Sequence, residues 1–413
     1  MKQVQMRRVV ITGIGFYSPI GNSIEELKSS FLDMKSGIRY MPEWEHINGL
    51  DAKIAGVVAV DDFSEIPRAN RRTMDRVAMM AALSLKRAIV QSGLGDEVVK
   101  HERTGLSFGS AMGGLETLFD YAANVAGNDG FGRQNATAFL RFMSHTVAAN
   151  LAVMFGIIGR NIPTSSACTA SAQAIGTGYE SIKYGMSDVM FVGGSEGLHF
   201  VEAGIFDSMG ATAVGYNDNP LEASRPFDAN RSGLVVAEGA GALVLEEYEH
   251  AKARGAIILG EVAGYATGCD GSHITLPSER GMESVMRESL KDAGMSPDDI
   301  GYINAHATAT PKGDIYESMA VHKVFGENTP ISSIKGFTGH MFGAGGAFET
   351  IVTLMAINES FLPANRNLVE MDPNCAKLDY LFTHREQDID AAMNNNFAFG
   401  GINTSIIIKK FKE

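Results

Sequence analysis

Residues 223–256 read ASRPFDANRSGLVVAEGAGALVLEEYEHAKARGA. The short apolar run GALVLEEY is typical of a buried strand, and the overlapping LEEYEHAKARGA (245–256) changes from acidic to basic and ends at Gly255, as a helix does. Other short apolar runs, such as RRVVITGIG, TGLSFGSA and DVMFVGGSE, contain glycines at their ends and alternate with longer helical patterns. The chain is therefore predicted to have a layered α/β fold with buried strands.

Strand-like patterning begins again directly after Gly255, in IILGEVAGYATGCDG. Two similar strand-to-glycine endings, VMFVGGSEG (189–197) and NFAFGGINTSIII (396–408), lie on either side of that point. They predict two similar halves, residues 1–255 and 256–413. No long linker rich in Pro, Gly and Ser separates the halves, so they are predicted to pack as one unit.

The composition excludes several classes of protein. The chain has 413 residues, of which 45% are hydrophobic, and a formal net charge of −13. This length allows a large buried core, and the acidic balance argues against non-specific binding of nucleic acid or of an anionic membrane. The apolar run near the N-terminus is broken by glycines and a proline, which favours a buried strand over a signal peptide, and no stretch approaches the roughly 20 apolar residues of a membrane span.

The three cysteines, Cys168, Cys269 and Cys375, are widely spaced, with no CxxC pair and no histidine cluster at metal-ligand spacing. We expect neither a disulfide framework nor a structural zinc site, and a reducing, cytoplasmic compartment. Cys168 lies among small residues in SSACTASAQAIG, just before a helix predicted to begin near Thr169. A helix N-terminus stabilises a thiolate, so Cys168 is a candidate nucleophile; the alternative is a small buried residue.

Two histidines lie in segments that suit a polar site. His306 ends a strand-like run in INAHATATPKGDIYE and is followed by Thr308 and Thr310, whose hydroxyls are suited to a polar ligand. Lys335 and His340 are five residues apart in the glycine-rich SSIKGFTGHMFGAGGAFE. A nucleotide-binding loop is excluded because the Walker A order and GxGxxG are both absent. Taken singly, each histidine is equally consistent with a satisfied core residue.

Phe399 precedes two glycines and a strand in NFAFGGINTS, so its backbone N–H is suited to point into a cavity; a core aromatic residue is the alternative. Together, Cys168, His306, Lys335, His340 and Phe399, in this order, resemble the β-ketoacyl-acyl carrier protein synthases, specifically the elongating type I and II branch of the thiolase superfamily. The resemblance extends across nearly the whole chain and includes RRVVITGIG, FDSMGATA, the stretch quoted first and FAFGGINTSIIIKKF. It implies a thiolase-like fold of five layers, αβαβα.

The resemblance also implies an acyltransferase that performs a decarboxylative Claisen condensation. An acyl group held as a thioester on Cys168 would react with malonyl-acyl carrier protein, giving β-ketoacyl-acyl carrier protein and CO2. The resemblance implies that His306 and His340 form the decarboxylation site, that Lys335 orders this site, and that Glu317 and Glu349 are the acidic partners of Lys335. It implies that the N–H groups of Cys168 and Phe399 form the oxyanion hole and that Phe399 also gates the acyl pocket. Thr308 and Thr310 would bind phosphopantetheine, Met112 and Phe206 would line the acyl tunnel, and Asp314 would have a structural role.

The chemistry of condensation agrees with these residue types. A thiolate exchanges one thioester for another at little energetic cost, and two neutral imidazoles that donate hydrogen bonds stabilise the enolate left by decarboxylation. No metal is needed, and no cofactor is expected beyond the phosphopantetheine of the carrier protein. Thiolases use a second cysteine and the initiating synthases an asparagine, so His340 at this position favours decarboxylative elongation.

Four residues depart from the family pattern. Ala307 and Ala309 replace a glycine and a serine near His306, and Ala398 and Ile402 replace a glycine and a threonine around Phe399. Every group with a chemical role is retained, so we expect a changed choice of acyl chain rather than lost chemistry. Housekeeping fatty-acid synthesis and a specialised polyene or polyketide pathway both remain open.

The predicted partner is an acyl carrier protein, which is acidic and needs a local basic surface. Residues 70–94 are spaced as an amphipathic helix ending at Gly93, and Arg68, Arg71 and Arg72 lie at its start, as a docking patch or as an ordinary solvated helix face. A homodimer is expected, with a heterodimer containing a ketosynthase-like chain-length subunit as the alternative. The rival functions are such a chain-length subunit, which usually lacks the nucleophile, and a thioester hydrolase.

Overall fold

The computed structural model describes residues 6–131 and 134–413. Its strands are β1 (Val9–Tyr17), β2 (Ile38–Tyr40), β3 (Ile54–Gly56), β4 (Thr104–Gly109), β5 (Asn161–Thr164), β6 (Val189–Glu196), β7 (Val236–Ala237), β8 (Gly239–Glu247), β9 (Gly260–Cys269), β10 (Tyr302–Asn304), β11 (Pro330–Ser332), β12 (Phe361–Leu362), β13 (Asp379–Tyr380), β14 (Arg385–Glu386), β15 (Ala391–Phe397) and β16 (Ile402–Lys409). Its helices are α1 (Ile24–Leu32), α2 (Arg68–Arg71), α3 (Arg76–Ser92), α4 (Asp96–Val99), α5 (Leu115–Gly127), α6 (Phe139–Phe142), α7 (Thr146–Phe155), α8 (Ala170–Lys183), α9 (Phe200–Ser208), α10 (Tyr248–Ala253), α11 (Glu279–Ala293), α12 (Pro311–Phe325), α13 (Lys335–Thr338) and α14 (Phe342–Asn358).

One mixed sheet has the strand order β13-β11-β10-β15-β16-β9-β1-β8-β6-β4-β5. At one end β5, β4 and β6 are parallel, β8 runs antiparallel to β6, and β1 antiparallel to β8. The other end repeats this pattern: β11, β10 and β15 are parallel, β16 is antiparallel to β15, and β9 is antiparallel to β16. The two five-strand patterns join where Val9–Ile11 of β1 pairs with Gly260–Val262 of β9.

Two central helices separate the repeated parts of the sheet. Helices α8 and α14 pack on each other, and each contacts strands of both parts. Helix α14 is buried along nearly its whole length and has no polar face, as its central position requires. Helices α3 and α7 cover the outer side of the first part, and α11, with α12 beside it, covers the second. These are the five layers αβαβα, so the predicted thiolase-like fold of two similar halves is confirmed.

We propose that residues 1–255 and 256–413 are the two halves of this fold. Helix α10 ends before Gly255, which has φ +68°, and β9, the first strand of the second pattern, begins at Gly260. One apolar core contains residues of both halves, for example Ile175 and Ile351. This shared core supports halves that pack as a single unit.

Two predicted helices have different bounds in the structure. The helix predicted over residues 70–94 is divided into α2 and α3, because Asp75 caps α3 by accepting a hydrogen bond from the Arg76 N–H (2.5 Å). Gly93 ends α3 in the left-handed region (φ +67°), as predicted. The helix predicted from residue 245 begins at Tyr248, because β8 continues to that point. No helix in the described residues is long and apolar enough to cross a membrane.

Candidate active site

A cavity of about 550 Å³ reaches Cys168 and is lined from both halves of the chain. The predicted site residues that line it are Cys168, His306, Thr308, Thr310, Glu317, His340 and Phe399. Met112 and Phe206 instead pack with Cys168 in one apolar cluster. Three other predicted residues, Lys335, Glu349 and Asp314, are buried behind the cavity wall.

A strained turn presents Cys168. Strand β5 ends at Thr164, a short 3-10 turn spans Ala167–Thr169, and α8 begins at Ala170, close to the predicted start. Ala167 has φ +50°, a left-handed conformation that disfavours residues other than glycine. Backbone strain of this kind is found where a functional residue must be held in place. Sequence reasoning missed Ala167, since nothing in a run of small residues identifies the strained one.

The Cys168 thiol is 3% exposed. Burial raises its pKa to about 12, while the positive charge of Lys335 and the backbone N–H groups of Phe399 and Cys168 act in the opposite direction. The resting group is therefore a neutral thiol at neutral pH. The expected stabilisation of the thiolate by backbone N–H groups is present, but desolvation of the sulfur outweighs it.

Both histidines are brought next to the sulfur. His306 follows the end of β10, and the His340 N–H donates to the Val235 carbonyl (2.7 Å) beside β7. The Cys168 Sγ and one ring nitrogen from each histidine all lie within 4.8 Å of one another. The two imidazole rings meet edge to face, with their centroids 5.2 Å apart. The site is thus assembled from three segments distant in sequence.

Both imidazoles are neutral. Burial lowers the pKa of His306 and His340 well below that of an ordinary histidine, and the charge of Lys335 lowers both further. Nδ1 of His306 and both ring nitrogens of His340 have no hydrogen-bond partner in the described structure. A neutral imidazole can accept a proton at one nitrogen and donate a hydrogen bond from the other, so these groups are available to a substrate.

Lys335 and Glu349 form a buried ion pair, with the two side chains 1% and 2% exposed. The Asn396 side-chain amide donates a second hydrogen bond to the Glu349 carboxylate (2.6 Å). The Ser224 hydroxyl, in the stretch quoted first, donates to the Lys335 backbone carbonyl (2.7 Å). Residues 223–256 therefore hold two site residues in place. Ser224 hydrogen bonds the backbone of Lys335, and the carbonyl of residue 235 accepts the His340 N–H.

Glu317, predicted as an acidic partner of Lys335, is within range of the Lys335 charge, which opposes the rise in its pKa, but its hydrogen bonds are made elsewhere. Its carboxylate accepts hydrogen bonds from the backbone N–H groups of His306 (2.8 Å) and Ala307 (2.7 Å). Burial raises the pKa of Glu317 to about 8. The ion pair of Lys335 is with Glu349 instead. Glu317 thus fixes the backbone at His306, a contact that residue spacing does not show.

Asp314 is fully buried and accepts a hydrogen bond from the Phe227 N–H (2.8 Å). Arg231 lies 3.5 Å from its carboxylate. Burial raises the pKa of Asp314 to about 6, and the Arg231 charge opposes this shift. The contacts agree with the structural role expected for Asp314, because they tie α12 to the stretch quoted first.

Thr308 and Thr310 form one polar wall of the cavity. Their hydroxyls are 3.2 Å apart, and Ala309 between them has φ +66°. Asp270 and Asn403 also line the cavity, and the Asn403 amide donates to the Asp270 carboxylate (2.6 Å). Sequence reasoning missed Asp270 and Asn403; the one signal for Asn403 was its place beside the predicted gate.

The Phe399 loop is a closed turn between β15 and β16. The Ala398 N–H donates to the Ile402 carbonyl (2.8 Å), and the Gly401 N–H donates to the Ala398 carbonyl (3.0 Å). Gly400 and Gly401 take the left-handed angles of the turn, with φ +92° and +73°. The turn directs the Phe399 N–H towards the Cys168 sulfur, where it lowers the pKa of the thiol.

Phe206 and Met112 contact the apolar side of Cys168. The Phe206 ring stacks on Phe342 (4.7 Å between centroids) and meets Phe399 at 5.8 Å. The Met112 N–H donates to the buried carboxylate of Glu196 (3.1 Å), a contact that the sequence did not suggest. The three arginines predicted to dock a carrier protein lie elsewhere: Arg68 and Arg72 are exposed, Arg71 is half-buried, and none lines the cavity.

Comparison with known proteins agrees with this geometry. The model of the beta-ketoacyl synthase N-terminal domain matches residues 6–251, and that of the C-terminal domain matches residues 259–369. The chain belongs to the beta-ketoacyl synthase family. A relative of this β-ketoacyl synthase, 3-oxoacyl-[acyl-carrier-protein] synthase 1 of Haemophilus influenzae, is 39% identical over 408 residues, which are 98% of this chain and 100% of the relative.

Solved structures extend the comparison. A beta-ketoacyl synthase from Burkholderia phymatum has a TM-score of 0.96 and 39% identity to this β-ketoacyl synthase, covering 98% of this chain and 100% of that one. The ishigamide ketosynthase/chain length factor has a TM-score of 0.91 and 29% identity, with the same coverage. The predicted family, fold and enzyme class are confirmed: the chain is a condensing enzyme of the acyltransferase class.

Proposed function

We propose that this β-ketoacyl synthase holds an acyl group as a thioester on Cys168 and condenses it with malonyl-acyl carrier protein. The products are β-ketoacyl-acyl carrier protein and CO2. The observation that carries the proposal is the meeting of the Cys168 sulfur with ring nitrogens of His306 and His340 within 4.8 Å, in a cavity that reaches the surface. This arrangement provides a nucleophile, a proton acceptor and hydrogen-bond donors in one place.

The first step loads the enzyme. As the Cys168 sulfur attacks the thioester carbonyl of an acyl-carrier protein, its proton passes to a neutral imidazole. The negative charge on the sulfur therefore develops only during the attack. The N–H groups of Cys168 and Phe399 stabilise the oxyanion. The carrier thiolate leaves and takes up the proton. Because burial penalises the free thiolate, this coupled transfer suits the site better than prior ionisation of the thiol.

The second step makes the carbon nucleophile and the new bond. Malonyl thioester loses CO2, and the two neutral imidazoles donate hydrogen bonds to the thioester oxygen on which enolate charge develops. The enolate carbon then attacks the acyl-Cys168 carbonyl, the carbon–sulfur bond breaks, and the released thiolate takes up one proton from water. We propose that no metal takes part and that the phosphopantetheine of the carrier protein lies along Thr308 and Thr310, which line the approach to the site.

Product analysis tests this function. The protein is incubated with an acyl-carrier protein and malonyl-carrier protein, and the products are separated by mass spectrometry. We expect β-ketoacyl-carrier protein and one CO2 per condensation. Release of the free acid would instead support a thioester hydrolase, and absence of any reaction would support a chain-length subunit; either outcome would overturn the proposal.

We propose that an acyl carrier protein docks at Arg68, Arg71 and Arg72. Reversing the charge at the exposed Arg72 with Arg72→Glu is expected to raise KM for the carrier protein several-fold at low salt, with kcat nearly unchanged and the difference smaller at high salt. The matched control is Lys291→Glu, a charge reversal at a side chain 76% exposed on α11. Equal KM values for the carrier protein in both variants at low salt would contradict docking at these arginines.

We propose a homodimer formed across β5. This strand pairs only with β4 in the described structure and ends four residues before Cys168. Exposed apolar side chains lie on the segments around it, namely Phe139, Met143, Val153 and Ile158. An unpaired edge beside exposed apolar groups favours strand addition. Native mass spectrometry of the purified protein is expected to show a dimer, and a stable monomer that dimerises only with a second chain would support the heterodimer.

The pathway in which the enzyme acts depends on which acyl chains its acyl pocket accepts. We propose that the departures at Ala309, Ala398 and Ile402 change which acyl chain is accepted, towards polyene or polyketide building rather than ordinary saturated chains. Ala398 and Ile402 support this, because they close the turn that carries Phe399, and the Phe399 ring meets Phe206 on the apolar side of Cys168. Equal turnover of saturated chains of all lengths would count against specialisation.

A further inference from the structure

Glu202 is a buried carboxyl group without a partner. It lies on α9, none of its surface is exposed (0%), and neither side-chain oxygen has a hydrogen-bond partner in the described structure. Burial raises its pKa well above that of an ordinary glutamate, and the nearby carboxylates of Glu196 and Glu238 raise it further. Burial thus favours the protonated form of Glu202, which has a donor and an acceptor that no described residue uses.

The neighbouring buried acids are satisfied, in contrast to Glu202. The Glu196 carboxylate accepts hydrogen bonds from the backbone N–H groups of residues 111, 112 and 343 and from the Ser110 hydroxyl. Glu238 forms an ion pair with Arg76 (2.7 Å) and accepts the N–H of residue 58. An unpartnered buried polar group destabilises a fold, so Glu202 is suited to pair with a polar group that the described residues do not supply.

Glu202 lies on the same helix as two residues of the apolar cluster around Cys168. Phe206 is one helical turn further along α9, so the two side chains share a face, and Ala203 adjoins Glu202. Phe206 and Ala203 belong to the apolar cluster that contains Cys168. Phe206 also contacts the rings of Phe342 and Phe399. Glu202 thus borders the apolar region next to the sulfur, where an acyl chain on Cys168 would extend.

We propose that Glu202 selects acyl chains that carry a hydroxyl group, by forming hydrogen bonds with that hydroxyl inside the acyl-binding region. This inference rests on the proposed acylation of Cys168. A neutral carboxyl group and a hydroxyl group are each both donor and acceptor, so they can pair reciprocally. A methyl-terminated chain would contact the surrounding apolar residues but would leave the carboxyl group of Glu202 without a hydrogen-bond partner.

The size of the expected preference follows from how such sites discriminate. A site that hydrogen bonds a substrate hydroxyl rejects the analogue lacking it, by up to about 10⁴-fold, because its buried polar group is then left without a partner. Glu202 has no other partner, so we expect a preference of at least about tenfold in kcat/KM. Apolar contacts alone would give the opposite preference, for the methyl-terminated chain.

The experiment compares ω-hydroxyacyl-carrier proteins with methyl-terminated acyl-carrier proteins over a series of equal chain lengths. Condensation with malonyl-carrier protein is followed by mass spectrometry for the wild type, Glu202→Met and Glu202→Gln. We expect the wild type to favour a hydroxyacyl chain at one or more lengths, Glu202→Met to reverse that preference, and Glu202→Gln to keep part of it, since an amide also donates and accepts. No hydroxyl preference at any length, or a preference that survives in Glu202→Met, would overturn the inference.

Two controls separate the possible failures. Ile205→Met changes an exposed residue (43%) on the same helix and is expected to leave both rates unchanged. Glu202→Met removes an unpaired buried carboxyl group, so its melting temperature is expected to be equal or higher, which excludes misfolding as the cause of a changed preference. Condensation of methyl-terminated chains without a hydroxyl preference would reject this inference alone, whereas absence of condensation with every chain would reject the proposed function.

Discussion

Replacing Cys168 with alanine is expected to lower kcat for condensation by at least about 10³-fold, because no other group near the two imidazoles can hold the acyl chain. The two histidines keep their environment in this variant, so loss of CO2 from malonyl-carrier protein is expected to continue. Condensation is read from β-ketoacyl product by mass spectrometry, and decarboxylation from acetyl-carrier protein. This split separates the nucleophile from the decarboxylation machinery.

Cys375 provides the matched control for this substitution. It is also a buried cysteine, but it belongs to the apolar core of the second half and does not line the cavity. Cys375→Ala removes the same atom from the chain and is expected to condense at nearly the wild-type rate. Full condensation by Cys168→Ala, or equal losses in both variants, would contradict the assignment of Cys168 as the nucleophile.

Replacing Lys335 with methionine is expected to lower both stability and activity. Glu349 is left as an unpaired carboxylate in a site where it is 2% exposed, and breaking a buried pair in this way costs about 3–5 kcal/mol in the free energy of unfolding. Loss of the positive charge also removes one cause of the low pKa of both histidines and one stabiliser of the Cys168 thiolate. Stability is measured by chemical denaturation, and activity by condensation.

The double variant Lys335→Met with Glu349→Gln separates the two effects. It removes both charges, so most of the lost stability is expected to return. The activity is not expected to return, because the charge that acts on Cys168, His306 and His340 is still missing. Recovery of both properties together would show that Lys335 has only a structural role.

The fold was largely predictable because its halves repeat one local pattern, in which glycine-terminated strands alternate with helices. The exceptions are local changes at the starts of two helices. Asp75 divides one predicted helix by accepting the next N–H, and β8 continues into the start of another. Apolar spacing does not change at these points, so periodicity alone cannot locate them.

The cysteine and the histidines that meet in the cavity could be predicted, but Asp270 and Asn403 in its lining and the contacts behind it could not. The order of Cys168, His306, Lys335 and His340 identified the residues that meet in space. The choice of Glu349 over Glu317 as the partner of Lys335 depends on which carboxylate the folded backbone turns towards the ammonium group. The neutral state of the Cys168 thiol depends on its burial, which the sequence does not report.

Peptide mass spectrometry of the acylated enzyme tests the central claim most directly. Trypsin cleavage after Arg160 and Lys183 gives a peptide, residues 161–183, in which Cys168 is the sole cysteine. After incubation with an acyl-carrier protein, this peptide is expected to gain the mass of the acyl group, and to lose it when malonyl-carrier protein is added while β-ketoacyl product appears in equal amount. An unmodified peptide during active turnover, or an acyl group that stays on Cys168 after malonyl-carrier protein is added, would contradict the account.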